Sequence, residues 1–112
     1  METVTIEVTK KHFDTAQALA LKGRGGTENC LVAQAFKAAF PRKHVSVGYC
    51  EATVGTGTKA RRFDLPRRAQ NLIGRFDASA GAYDPTKGEL ARAKRLRNAL
   101  PVTFTATLQS EV

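Results

Sequence analysis

The chain has 112 residues and a mass of 12.1 kDa, with 18 Lys+Arg against 10 Asp+Glu and a formal charge of +8. Its length fits a single hydrophobic core, and a 42% hydrophobic fraction is enough to build one, which argues against wholesale disorder. The uncharged stretch Thr15 to Leu21 falls far short of the ~18 apolar residues of a membrane span, and the opening residues predict no signal peptide.

Thr3 to Val8 alternates Val4, Ile6 and Val8 with Thr3, Thr5 and Glu7, the period of a half-buried strand. Thr9 is placed to cap a helix over Lys10 to Leu21, with Phe13, Ala16 and Ala20 on one stripe beside Leu19. Gly23-Arg24-Gly25-Gly26 ends it. Thr27 then reads as the cap of an apolar helix from Glu28 to Phe40, stopped by Pro41. His44 to Tyr49 alternates again, with Val45, Val47 and Tyr49 on one face. Glu51 to Val54 continues extended, and Gly55-Thr56-Gly57 turns the chain toward a strand over Lys59 to Phe63. Leu65-Pro66 leads into a third helix in which Ala69, Leu72, Ile73 and Phe76 recur at three and four, and Asp77 to Gly81 breaks it. Asp84 and Pro85 read as cap and first turn of a fourth helix ending near Leu100-Pro101. A last strand alternates Val102, Phe104, Ala106 and Leu108 with Thr103, Thr105 and Thr107.

The order β-α-α-β-β-β-α-α-β predicts an α+β fold for residues 1–112 as a single domain. Its expected form is a small, mostly antiparallel sheet of about four to five strands with helices packed on one face.

The charge is concentrated. Between Lys59 and Arg97 there are 11 Lys/Arg and 4 Asp/Glu, a net of +7, while the other residues hold 7 basic and 6 acidic side chains, a net of +1. Same-sign crowding destabilises a compact state, so the segment is expected either to face a polyanion or acidic protein surface or to disperse over solvated positions on folding. Candidate binding residues are Arg61 and Arg62 on a strand, Arg67 and Arg68 at a helix start, and Lys87, Arg92, Lys94, Arg95 and Arg97 on the fourth helix. Arg67 and Arg68 stand where the helix dipole disfavours cations, which hints at an external role. Guanidinium groups match phosphate or carboxylate oxygens bidentately.

A candidate phosphate loop is Lys22-Gly23-Arg24-Gly25-Gly26-Thr27, whose backbone N–H groups precede a helix start. The order fits neither a P-loop nor a dinucleotide fingerprint, and a helix C-cap with a following loop is the competing reading. Aromatic platforms are sparse: there is no Trp, and of the rings only Tyr49 and Tyr83 are candidates for exposure, with Tyr49 expected to pack in the sheet.

Nothing in the chain reads as catalytic. His12 and His44 are the only histidines, and no serine or cysteine stands in a nucleophile motif. His12, Cys30, His44 and Cys50 lack metal-ligand spacing, so no metal and no cofactor is expected. Asp64 and Asp77 lie near arginines and read as ion-pair partners. Cys30 and Cys50 read as two buried reduced thiols, with a single bridge left open.

Several short stretches together resemble a loose group of small accessory proteins from bacteriophages and other mobile elements. They are Val8-Thr9 with His12-Phe13, Cys30 to Ala33, Val45 to Gly48, Leu65-Pro66, Phe76-Asp77 and Pro101 to Phe104. The resemblance covers most of the chain, with two departures. Leu31 stands where a proline is expected after the cysteine, and Ala78 to Leu100 is an added helical segment that holds Lys87, Arg92, Lys94, Arg95 and Arg97. The group carries no residue-by-residue function. The resemblance implies a non-enzymatic accessory role in the cytoplasm of a bacterial host, where such proteins bind and block defence machinery, CRISPR complexes and nucleotide signalling included. The expected partner is a host protein or ribonucleoprotein complex, met at a nucleic-acid-related site by the basic surface, with no role at a membrane. Direct DNA or RNA binding is the first alternative, and a nucleotide-signal sponge built on the Lys22 to Thr27 loop is the second.

Overall fold

The computed structural model describes residues 2–109. Five strands, β1 (Thr3–Val8), β2 (Val45–Val47), β3 (Glu51–Val54), β4 (Arg61–Asp64) and β5 (Val102–Leu108), form one sheet in the order β1-β5-β4-β3-β2, every neighbouring pair antiparallel. Four helices, α1 (Lys10–Leu21), α2 (Leu31–Ala39), α3 (Arg67–Asp77) and α4 (Lys87–Asn98), complete the α+β fold. No helix among the described residues is long and apolar enough to cross a membrane.

The alternation in β1 and β5 sorts their side chains. Ile6, Val8, Phe104 and Ala106 are buried under the helices, and Thr3, Thr5, Glu7, Thr103 and Thr105 stand on the open face. Helix α2 is the innermost helix and touches both edge strands, β1 and β2, while α1 and α3 flank it and α4 packs on both of them. At the centre Phe36 is fully buried, with its ring 6.2 Å from those of both Phe63 and Phe104. Phe13 of α1 meets Phe76 of α3 edge to face at 6.0 Å, which fixes those helices to each other.

Thr9 caps α1 as expected, and its hydroxyl accepts from the His12 N–H while His12 Nδ1 accepts from the Thr9 N–H. Helix α2 begins at Leu31 rather than Glu28, with Cys30 as N-cap. Thr27 fails as a cap because its carbonyl takes the Val47 N–H at 2.8 Å, and residues 27–29 form a turn closed by the Asn29 N–H on the Gly26 carbonyl at 3.1 Å. Helix α4 is capped by Thr86, two residues beyond Asp84, through a reciprocal pair with Glu89. Strand β2 stops at Val47, and Tyr49 is 60% exposed rather than packed in the sheet.

Both cysteines are free, and only Cys30 is buried; Cys50 is exposed, which corrects the expectation of two buried thiols. Neither Asp64 nor Asp77 pairs with an arginine among the described residues. Asp64 instead accepts from Gln109 Nε2 at 2.8 Å.

Candidate functional site

Strand β4 leaves β5 early. Among the described residues it pairs at Phe63↔Leu108 and Asp64↔Thr107, with the Gln109 N–H donating to the Arg62 carbonyl at 2.8 Å, and it goes no further towards Thr105, since Pro66 has no N–H to extend the ladder and the chain turns into α3. On its other side β5 is paired with β1 from Val102 to Thr107. The Leu108 N–H donates to the Glu2 carbonyl at 2.9 Å, so by antiparallel alternation the backbone groups of Thr103 and Thr105 point away from β1. They face the space that β4 vacated. The Thr103 carbonyl is taken by Arg68 Nη1 at 3.0 Å, and the Thr105 amide and carbonyl have no partner among the described residues.

Helix α3 supplies the opposite wall. Arg68, Asn71 and Arg75 lie at intervals of three and four, hence on one face, and line a groove of about 490 Å³ with Leu72, Pro101, Val102 and Thr103. The groove continues past Arg68 and Thr103 into a second hollow of about 300 Å³, along Pro66, Phe104 and Thr105. Two arginines, an amide side chain and an open strand edge therefore converge on one concave surface. Extended anionic chains suit such a surface, because edge groups satisfy a main chain while guanidinium groups satisfy its charges.

No protein-family model, curated protein or solved structure matches the chain.

The nine candidate cations disperse. Arg61 and Arg62, adjacent on β4, project to opposite sides of the sheet: Arg61 sits 5.5 Å over the Phe63 ring and pairs with Glu2, whereas Arg62 lies 3.8 Å from Glu51 on the open face. Arg68 is the only one of the nine in the groove. Arg92 Nη2 donates to the Ala78 carbonyl at 3.2 Å, and Arg97 is bonded to Asp14. Arg67, Lys87, Lys94 and Arg95 are exposed with no partner among the described residues. Sequence reasoning passed over Asn71 and Arg75, although the 68-71-75 spacing is legible once the helix is assumed.

The Lys22 to Thr27 loop has another duty. The Gly23 N–H returns to the Ala20 carbonyl and the Arg24 N–H to the Leu19 carbonyl, at 3.0 and 2.8 Å, which closes the C-terminus of α1. Gly23 adopts the left-handed φ of 74° that this closure demands. The phosphate-cradle reading loses those two donors.

Among the described residues no three His, Cys, Asp or Glu side chains cluster as metal ligands. Burial pushes the Cys30 thiol up, against the pull of the Ala33 and Val32 amides at the start of α2.

Proposed function

We propose that this protein is a non-catalytic, phage-type accessory protein that inhibits a bacterial defence complex in the host cytoplasm, in the manner of anti-CRISPR proteins. The groove between α3 and β5 is the observation that carries this reading. It is the place where unsatisfied main-chain groups, two guanidinium groups and concavity coincide, as docking onto an acidic or nucleic-acid-related element of a partner requires. The target is a host protein or ribonucleoprotein complex. A photo-crosslinking residue at position 71 should couple to one defined complex of the host, and Arg75→Glu should abolish that product. Crosslinking to bulk nucleic acid alone refutes the reading.

Direct DNA or RNA binding is favoured by a different observation, the exposed Lys87, Lys94 and Arg95 on α4, which have no partner among the described residues. It predicts affinity that falls steeply with salt, by about one unit of log-log slope per neutralised phosphate, with a shallower slope after Lys94→Gln and Arg95→Gln. Absence of binding at low salt removes it.

A further inference from the structure

A second basic hollow is built by the α2–β2 link and the β3–β4 connection. The link from α2 to β2 carries Arg42, Lys43 and His44, and the β3–β4 connection carries Thr56, Lys59 and, at the start of β4, Arg61. The fold joins these segments. Val54 is paired with Val45 on one side and with Arg61 on the other, and the Gly55 N–H donates to the His44 carbonyl at 2.8 Å. The result is a pocket of about 410 Å³ with Phe40 and Val54 as its apolar lining.

We propose that this pocket binds a compact phosphate-bearing ligand of the di- or triphosphate class. Four cations, Arg42, Lys43, Lys59 and Arg61, surround it, against one carboxylate, Glu2, on Arg61; His44 is occupied by Glu28 at 2.9 Å. Arg42, Lys43 and Lys59, which have no carboxylate partner among the described residues, repel each other around one hollow, and the C-terminal dipole of α2 offsets only part of that repulsion. A polyphosphate offsets the remainder, with several oxygens for guanidinium and ammonium donors at once.

The backbone agrees with this chemistry. Gly55 and Gly57 hold left-handed φ values of 94° and 65°, so the connection folds back and sets Thr56 in the pocket wall. Arg42 is also left-handed, at φ 70°, the single non-glycine residue in that region among those described. Outliers of this kind gather at ligand sites. The volume lies within the ~300–1,000 Å³ of small-molecule pockets, whereas a polynucleotide needs an open track. Inorganic polyphosphate and a nucleotide share the recognised group; the nucleotide adds a ring for Phe40 and Val54.

Thermal shift and calorimetry with tripolyphosphate, ATP and a single-stranded oligonucleotide, at matched ionic strength, test the site. Tripolyphosphate and ATP should each raise Tm saturably, since a ligand of the folded state stabilises it. Equal affinities identify the polyphosphate group as the whole determinant, and tighter ATP binding identifies a nucleotide. Lys59→Gln and Arg42→Gln should each weaken binding by about tenfold or more, the expected loss of one charge-assisted contact. Lys11→Gln, which removes the same charge from the exposed side of α1, should leave it unchanged. A flat response, equal weakening by Lys11→Gln, or a response to the oligonucleotide alone overturns the proposal. Variants of Arg68 or Arg75 do not enter this test, so it is independent of the α3–β5 groove.

Discussion

Arg97 and Asp14 are joined by two parallel hydrogen bonds, Nε to Oδ1 at 2.7 Å and Nη2 to Oδ2 at 3.0 Å, which tie α4 to α1 across 83 residues of sequence. The hydrogen bond from Arg97 holds the Asp14 carboxyl below its ordinary value of 3.8. A depressed carboxylate contributes stability that is present above the unfolded value and lost as pH falls through the folded one. Both groups are largely exposed, so the effect is small. Asp14→Asn and Arg97→Gln should each lower Tm slightly at neutral pH, and the double variant should be no worse than either single. Additive losses would show that the two side chains act separately.

Phe36 has no exposed surface and its ring lies 6.2 to 6.3 Å from those of Phe40, Phe63 and Phe104. Phe36→Ala leaves a cavity between α2 and the sheet and should cost ~3–5 kcal/mol, a large share of a typical ~5–15 kcal/mol. Urea denaturation followed by circular dichroism measures it; a loss under ~1 kcal/mol would contradict the packing at the centre of the fold.

His12 accepts from the Thr9 N–H through Nδ1, a bond that only the unprotonated nitrogen can make. Burial lowers its pKa from 6.5, with Glu7 opposing and Lys11 assisting. The unfolded chain therefore takes up this proton more readily, so the contribution is intact above 6.5 and lost as pH falls below it toward the folded value. Denaturation midpoints should drop over that window in the wild type and stay flatter in His12→Gln, whose amide can keep the reciprocal cap. Thr9→Ala should cost ~1 kcal/mol at any pH above it.

The thiols should separate by rate. Cys50 is exposed, and Cys30 is buried with its thiol pKa raised by desolvation. Maleimide should label one thiol of the native protein at once and the other only on unfolding, and Cys50→Ser should erase the fast phase. Two fast labels would place Cys30 at the surface.

Arg67 and Arg68 are adjacent yet unequal. Arg68 bonds the Thr103 carbonyl, while Arg67 has no partner among the described residues. Arg68→Ala should lower stability by ~1 kcal/mol or less, as one exposed hydrogen bond to a charged group is lost, and Arg67→Ala should leave it within ~0.5 kcal/mol. Equal thermal shifts would deny Arg68 its structural role. The helix dipole disfavours both cations, and for Arg68 the open β5 edge gives a reason to be there.

Much of the architecture is written locally. Period-two alternation marks β1 and β5, and the Thr-x-x-Glu spacing of Thr86 and Glu89 is a cap signature passed over in favour of Asp84-Pro85. The start of α2 was hidden because the bond from Val47 to Thr27 belongs to no local pattern. The candidate groove was legible only in part. Arg68 stood out as a cation, but its neighbours Asn71 and Arg75 matter because β4 stops pairing at Asp64, a consequence of sheet order.

The sequence by itself determined the α+β class, the element order, the buried faces and a +7 excess between Lys59 and Arg97. Each of these depends on a residue's own neighbours: side-chain periodicity, caps, and the number of charges in a window. Which arginines find a partner within the fold was decided by the tertiary structure alone. Arg97 is held by Asp14, Arg61 by Glu2 and Arg68 by a strand carbonyl, partners brought close by packing rather than by spacing. The same packing set Arg68 and Arg75 in a hollow at α3 and β5, set Lys59 and Arg61 in another at the β3–β4 turn, and dispersed the other cations of that segment, because burying the apolar faces fixes where every polar face must lie.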